Sequence, residues 1–197
     1  MKTTFFYLIV ISLLVVSCSK DNDSGDIQEQ TFEVNATAST EWKYFSFESN
    51  DTVEVADPMN SNSWDLAFQR YRIRTNGGKS GNGMGGAANS HETEQEGFDA
   101  LKVVSDTLTF RADDEIEIAV QQGYTTYILN PVLYTWFGME FGTMGTQIVP
   151  TDSIYVVKTA LGKYAKIWVK SYYNAEDNSG YITFQYKYQP DGSRNLE

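Results

Sequence analysis

The sequence predicts an all-β fold, a single compact domain of antiparallel strands. Apolar–polar alternation recurs in short runs, no window sustains a helical period, and Gly, Asn, Asp and Pro punctuate the chain between the runs. Aromatic residues are 14% of the chain and gather in those runs with β-branched ones, where a half-buried pleated surface suits them.

Taken in order, "EWKYFSFE" and "TVEV" are short and β-rich, and "SNDT" and "DPMNSNS" break the chain around them. In "WDLAFQRYRIRTN", Trp64, Leu66 and Phe68 share a face, whereas Tyr71 and Ile73 carry the apolar pattern on the opposite parity. This one-residue slip near Gln69–Arg70 predicts a bulge or a strand that changes its buried side. Arg70, Arg72 and Arg74 are then either solvated, paired structurally, or turned toward an anionic ligand. "EIEIAV" sets Ile116, Ile118 and Val120 against Glu115 and Glu117, and "TTYIL" ends at the "NP" of 130–131. After "SIYVVKT", "KYAKIWVKSYY" sets Ala165, Ile167 and Val169 opposite Lys166, Trp168 and Lys170. "GYITFQYKYQ" closes the domain, with Ile182, Phe184, Tyr186 and Tyr188 on one face.

The ends bound the domain. Residues 1–17 run from Lys2 through an apolar stretch, Phe5 to Val16, to Ser17, in the order of a secretory signal, and the stretch is short for a bilayer span. "VVSC" resembles a lipobox and predicts lipid attachment at Cys18. Residues 18–30 are then the lipidated cysteine and a flexible acidic tether, too poor in large apolar side chains to offset ordering. That leaves 31–197 as the folded domain. Cys18 is the single cysteine, so no intrachain disulfide is available and the fold rests on its core. Loss of Lys2 with the signal takes the formal net charge from −11 to −12, which excludes nucleic acid as a partner, since that affinity depends on neutralising phosphates.

Residues 75–88, "TNGGKSGNGMGGAA", hold six glycines. Gly81, Gly83 and Gly86 formally spell GxGxxG, and "GKS" ends like a phosphate loop. A dinucleotide loop, however, opens a helix within a βαβ unit, and "AANSHETEQEGFD" has no apolar helical stripe. A phosphate loop needs a glycine five residues before Gly78, where Ile73 stands. The glycines are therefore read as sites of positive φ or close backbone approach.

"WDLAFQRYRIRTNGGKSGNGMGGA", Trp64 to Ala87, resembles the signature of the HmuY-like haem-binding lipoproteins (haemophores) of the Bacteroidota. Trp64, Asp65, Arg70, Arg74, Asn76, Gly78, Ser80, Gly81, Gly83, Gly85, Gly86 and Ala87 carry the likeness, and Trp42–Glu48 and the closing strand pair extend it. It implies an all-β protein with two finger-like hairpin loops that clasp haem and deliver it to a TonB-dependent outer-membrane receptor. It also implies a lipid anchor in the outer membrane, exposed at the cell surface. The acidic run behind Cys18 resembles the surface-export signal of such lipoproteins.

The bis-histidine ligation of the best-known member has no counterpart, because His91 is the only histidine and matches neither ligand. Relatives with methionine ligands point instead to "YTWFGMEFGTMGTQ" on the second finger, with Met139 or Met144 on iron and Trp136, Phe137 and Phe141 against the porphyrin. Five residues apart, the two methionines suit one ligand better than a trans pair. The first finger, "RADDEIEIAVQQGY", offers no methionine, histidine or cysteine. His91 and Met84 are alternative ligands, and Tyr124, Tyr127 and Tyr134 are possible oxygen ligands. Methionine is equally at home as core filling. A non-haem ligand or a protein partner is the alternative function. No positioned base and nucleophile can be assigned, so no enzyme is expected.

Overall fold

The structure, a computed structural model, describes residues 27–197 except Gln121 and Met144. The expected signal, Cys18 and most of the expected tether lie outside the described residues. The elements are β1 Glu29–Asn35, β2 Lys43–Ser46, β3 Asp51–Val53, β4 Leu66–Gln69, β5 Arg72–Thr75, β6 Gly86–Thr93, α1 Glu94–Ala100, β7 Asp114–Val120 and β8 Gly123–Leu129. A 3-10 turn at Leu133–Thr135 leads to β9 Phe137–Gly142, β10 Gly145–Pro150, β11 Ser153–Lys158, β12 Tyr164–Tyr173 and β13 Ser179–Gln189.

The fold is all-β, as the alternation predicts. A five-stranded sheet, β1-β13-β12-β11-β6, faces a four-stranded sheet, β3-β2-β4-β5, and two hairpins, β7–β8 and β9–β10, stand apart as ribbons. Every strand pair is antiparallel. Between the sheets, Phe184 on β13 meets Phe45 on β2 at 5.2 Å and Phe68 on β4 at 5.4 Å between ring centroids. Val34, Leu66, Ile73, Ile167, Val169 and Ile182 complete this core. Such aromatic packing is worth about 0.5–1.5 kcal/mol per pair beyond the area buried.

The five-stranded sheet is covered on its other face as well. There Phe98 of α1 packs on Ile154 and Trp168, and Leu196 on Val104 and Val156. Of the polar face expected for β12, Lys166 and Trp168 are therefore buried, and Lys170 alone is exposed. Lys166, only 2% exposed, donates its ammonium protons to the carbonyls of Phe98 and Leu101 at the end of α1.

Three local expectations are corrected. The phase slip at Gln69–Arg70 is neither a bulge nor one strand changing sides. β4 and β5 are a hairpin, Gln69 pairs with Arg72, and Arg70–Tyr71 form its two-residue turn. Arg70 takes φ 52°, a left-handed conformation suited to the twist of a tight hairpin. Its guanidinium compensates by donating to Thr37 O, Ser179 O and Ser179 Oγ. Next, β1 starts at Glu29, so the last residues assigned to the tether are strand. Finally, the polar stretch after the glycines is a strand, β6, followed by the seven-residue helix α1.

The glycine segment joins β5 to β6 and wraps the side chain and backbone of Asn76, which is fully buried. The Asn76 amide donates to Ser61 O at 2.7 Å and Trp64 O at 2.9 Å, while its Oδ1 accepts from Gly83 N–H at 3.2 Å. A Cβ on Gly85 would fall 2.4 Å from Asn76 O, and one on Gly81 2.1 Å from Asn76 Oδ1. The segment opens a strand and no helix, so the nucleotide geometry is absent.

Candidate functional site

The two ribbons are rooted on one hairpin, β4–β5. Arg74 Nε donates to Ile128 O of β8 at 2.8 Å, and its guanidinium stacks 3.8 Å from the Trp42 ring. Asn130 N–H donates to Ile73 O. Beneath the first finger, Asp113 accepts from Thr75 N–H, Thr75 Oγ1 at 2.6 Å, Ser80 Oγ at 2.7 Å and Asn130 Nδ2 at 3.1 Å. Burial pushes this carboxyl up to about 6 despite those donors. The second finger is closed at its root by Thr151 N–H to Trp136 O and tied sideways by Ile148 N–H to the Tyr173 hydroxyl.

Register fixes which residues share a face, because directly opposed residues in an antiparallel pair point the same way. On the first finger Ile116 opposes Tyr127 and Ile118 opposes Thr125. That face is apolar, yet the core covers it only in part, and Val120 at its end is 44% exposed. On the second finger Phe137, Met139 and Phe141 alternate along β9 on one face. Phe137 packs on Tyr71 at 5.0 Å and Tyr134 at 5.4 Å. Tyr127 lies under the Arg72 guanidinium at 4.0 Å, and Arg72 lies 5.2 Å from the Tyr71 ring. Both apolar rows therefore start from one floor of Tyr71, Arg72, Tyr127, Tyr134 and Phe137. Burial raises the Tyr134 phenol above its ordinary value, partly opposed by Arg72.

The sequence-predicted site residues separate on this geometry. Met139 is 45% exposed and Phe141 82%, an aromatic and a thioether held in the open on one face. Met144 falls between β9 and β10 in the chain and lies outside the described residues. Trp136 does not share the exposure of Met139 and Phe141. It is 1% exposed in the main core, its indole N–H donates to Tyr71 O at 2.9 Å, and no ring face is left for a ligand. Its parity in "WFGMEF", opposite to Met139 and Phe141, was the available signal. His91 lies on β6, at the edge of the five-stranded sheet and on neither finger. Met84 lies in the glycine segment, its sulfur 3.1 Å from where a Cβ on Gly162 would stand. Tyr124 opposes Ala119 and so points away from the face of Tyr127. Of the floor, the sequence raises Arg72 as one of three arginines that could face an anionic ligand, whereas Tyr71 and the meeting of Arg72 with Tyr127 went unread.

A separate open groove of about 820 Å³ runs between β1 and β2–β3. Its lining includes Glu33, Glu41 and Glu54, which suits no flat apolar ligand.

Residues 38–186 match the family described as HmuY protein. Among solved structures, the chain is similar to a Bacteroides vulgatus protein described as HmuY-like and heme binding, with TM-score 0.59 and 23% identity over 82% of this chain and 92% of that one. It is also similar to the apo form of an HmuY analogue from Tannerella forsythia, with TM-score 0.62 and 24% identity over 84% and 100%. A Bacteroides fragilis protein described as a lipoprotein gives TM-score 0.62 and 24% identity over 85% and 94%. At these identities the likeness to each structure is one of fold. No curated protein matches the chain.

Proposed function

The chain belongs to the HmuY family, and from that premise we propose that it captures haem between its two fingers. The observation that carries this reading is the pair of only partly covered apolar rows rising from a common floor. A flat, largely apolar ligand between them would bury Ile116, Ile118, Met139 and Phe141 together. The donor set fits iron as well. Met139 offers a thioether from the second finger, Met144 is a second candidate in the same segment, and Tyr127 offers a phenol on the ligand-facing side of the first. Trp136 has no part in the site. As a protein that clasps and releases cargo, it needs no catalytic residue. A lipid on Cys18 would hold it at the outer-membrane surface, and a TonB-dependent receptor would take the haem.

The test is a titration of the protein with haem under oxidising and reducing conditions, following the Soret band. Thioether is a soft ligand that raises the haem potential, so ferrous haem should be held more tightly than ferric. Met139→Ala or Met144→Ala should lose the wild-type spectrum, while His91→Ala keeps it. If only His91→Ala loses it, methionine ligation is wrong. If the wild type binds in neither redox state, haem capture is wrong. A first finger without methionine, histidine or cysteine favours one second reading. In it, the same cleft takes a planar ligand without iron, and iron-free protoporphyrin would bind as tightly as haem.

A further inference from the structure

Arg72 is an arginine with unfinished bonding. It stands at the start of β5, just after the Arg70–Tyr71 turn, and one of its terminal nitrogens donates to Gln69 Oε1 at 3.2 Å. Its Nε is buried with no hydrogen-bond partner, which holds for no other buried side-chain nitrogen or oxygen among the described residues. None of the ion pairs among those residues includes Arg72.

Its neighbours on the same hairpin differ. Arg70 is bonded to two carbonyls and a hydroxyl. Arg74 is bonded to Ile128 O, and the Asp113 carboxylate favours its charge. Around Arg72 there are tyrosine rings, at 4.0 Å and 5.2 Å, in place of a carboxylate. Partial burial of a cation without a counter-ion is unfavourable, and aromatic faces offset it only in part. The acidic balance of the chain, −11, makes a carboxylate-free setting for an arginine still less expected from composition. The floor of the cleft is thus a fixed positive point between apolar walls.

We propose that Arg72 binds a carboxylate substituent of the ligand, so that the acidic edge of the porphyrin lies at the root of the fingers. This deepens the haem reading and rests on it. An apolar macrocycle with carboxylates on one edge matches apolar walls above a guanidinium. The walls supply affinity, and Arg72 supplies orientation and a preference for the diacid.

The experiment compares haemin with its dimethyl ester, in one mixed aqueous solvent, on wild type, Arg72→Gln and Arg72→Lys. A charge-assisted hydrogen bond of this kind corresponds to about tenfold to a hundredfold in affinity. Wild type should prefer haemin over the diester by about that factor. Arg72→Gln should lose the preference by weakening haemin alone, and Arg72→Lys should restore part of it, since lysine keeps the charge but not the planar fork. Equal weakening of both porphyrins in Arg72→Gln would make Arg72 merely structural and overturn the assignment. So would an undiminished preference in that variant. If wild type binds neither porphyrin in either redox state, the haem reading falls first and takes Arg72 with it.

Discussion

Replacing Gly85 by alanine tests whether the glycine segment is a wrapping for Asn76. The new Cβ would stand 2.4, 2.6 and 2.8 Å from Asn76 O, C and N, all main-chain atoms that no side-chain rotation can clear. The Asn76 backbone is itself fixed, because its amide group holds Ser61 O and Trp64 O at 2.7 and 2.9 Å. Relief therefore means moving a buried strand end and stretching those bonds. Overpacking costs about 1–3 kcal/mol, and two weakened hydrogen bonds add about 1–2 kcal/mol. A loss of about 2–5 kcal/mol follows, which lowers Tm by about 5–15 °C for a domain of this size. Gly138→Ala is the matched control, since a Cβ there meets nothing within 4 Å. It should stay within about 0.5 kcal/mol of wild type. Thermal unfolding followed by circular dichroism measures both. A Gly85→Ala melt within about 2 °C of wild type would refute the wrapping argument, as would an equal loss at Gly138. A saturable thermal shift with ATP, NAD or FAD would revive the nucleotide reading instead.

Two further outcomes are expected. Asp113, with its carboxyl pushed up to about 6 by burial, binds its proton more tightly folded than unfolded. Its contribution to stability is therefore full below the ordinary carboxylate value, near 4, and is lost as pH rises through about 6. Asp113→Asn removes that dependence, so the stability difference between variant and wild type should move by up to about 3 kcal/mol in favour of the variant from pH 4 to pH 7. Urea unfolding at both pH values reads it, and a difference independent of pH would show that Asp113 does not titrate in this window. Labelled palmitate should enter the wild-type protein and not Cys18→Ser, and equal labelling of both would exclude lipidation at Cys18.

How far the sequence could be read depended on whether the deciding partners were local. β13 was legible because its own alternation names the buried face, and Ile182, Phe184 and Tyr186 do sit in the core. The hairpin at Arg70–Tyr71 was not, because nothing between Gln69 and Arg72 is a usual turn former. A left-handed arginine is stabilised there by Thr37 and Ser179, which are near only in the fold. β6 and α1 were missed for a related reason. "GAANSHET" carries almost no large apolar side chain, and it is strand because its backbone completes the edge of β11.

The fingers invert the usual inference from alternation. Apolar periodicity on β7 and β9 implies a buried face, yet the fold leaves Ile116 and Ile118 half-covered and Phe141 open. The alternation of β7 was legible in the sequence, that of β9 was not drawn from it, and the core covers neither row fully. Alternation that the tertiary structure leaves unsatisfied marks a surface meant to be completed by something else, and here two such surfaces share one floor. That floor needed β8 to come against β5, a contact over more than fifty residues made through Arg74 and Ile128, to bring Arg72 onto Tyr127. No local pattern encodes that meeting. The charge of Arg72 is thus a property of the cleft that geometry supplies against an acidic composition, which is why the proposed carboxylate contact at Arg72 tests the haem reading more sharply than the apolar rows do.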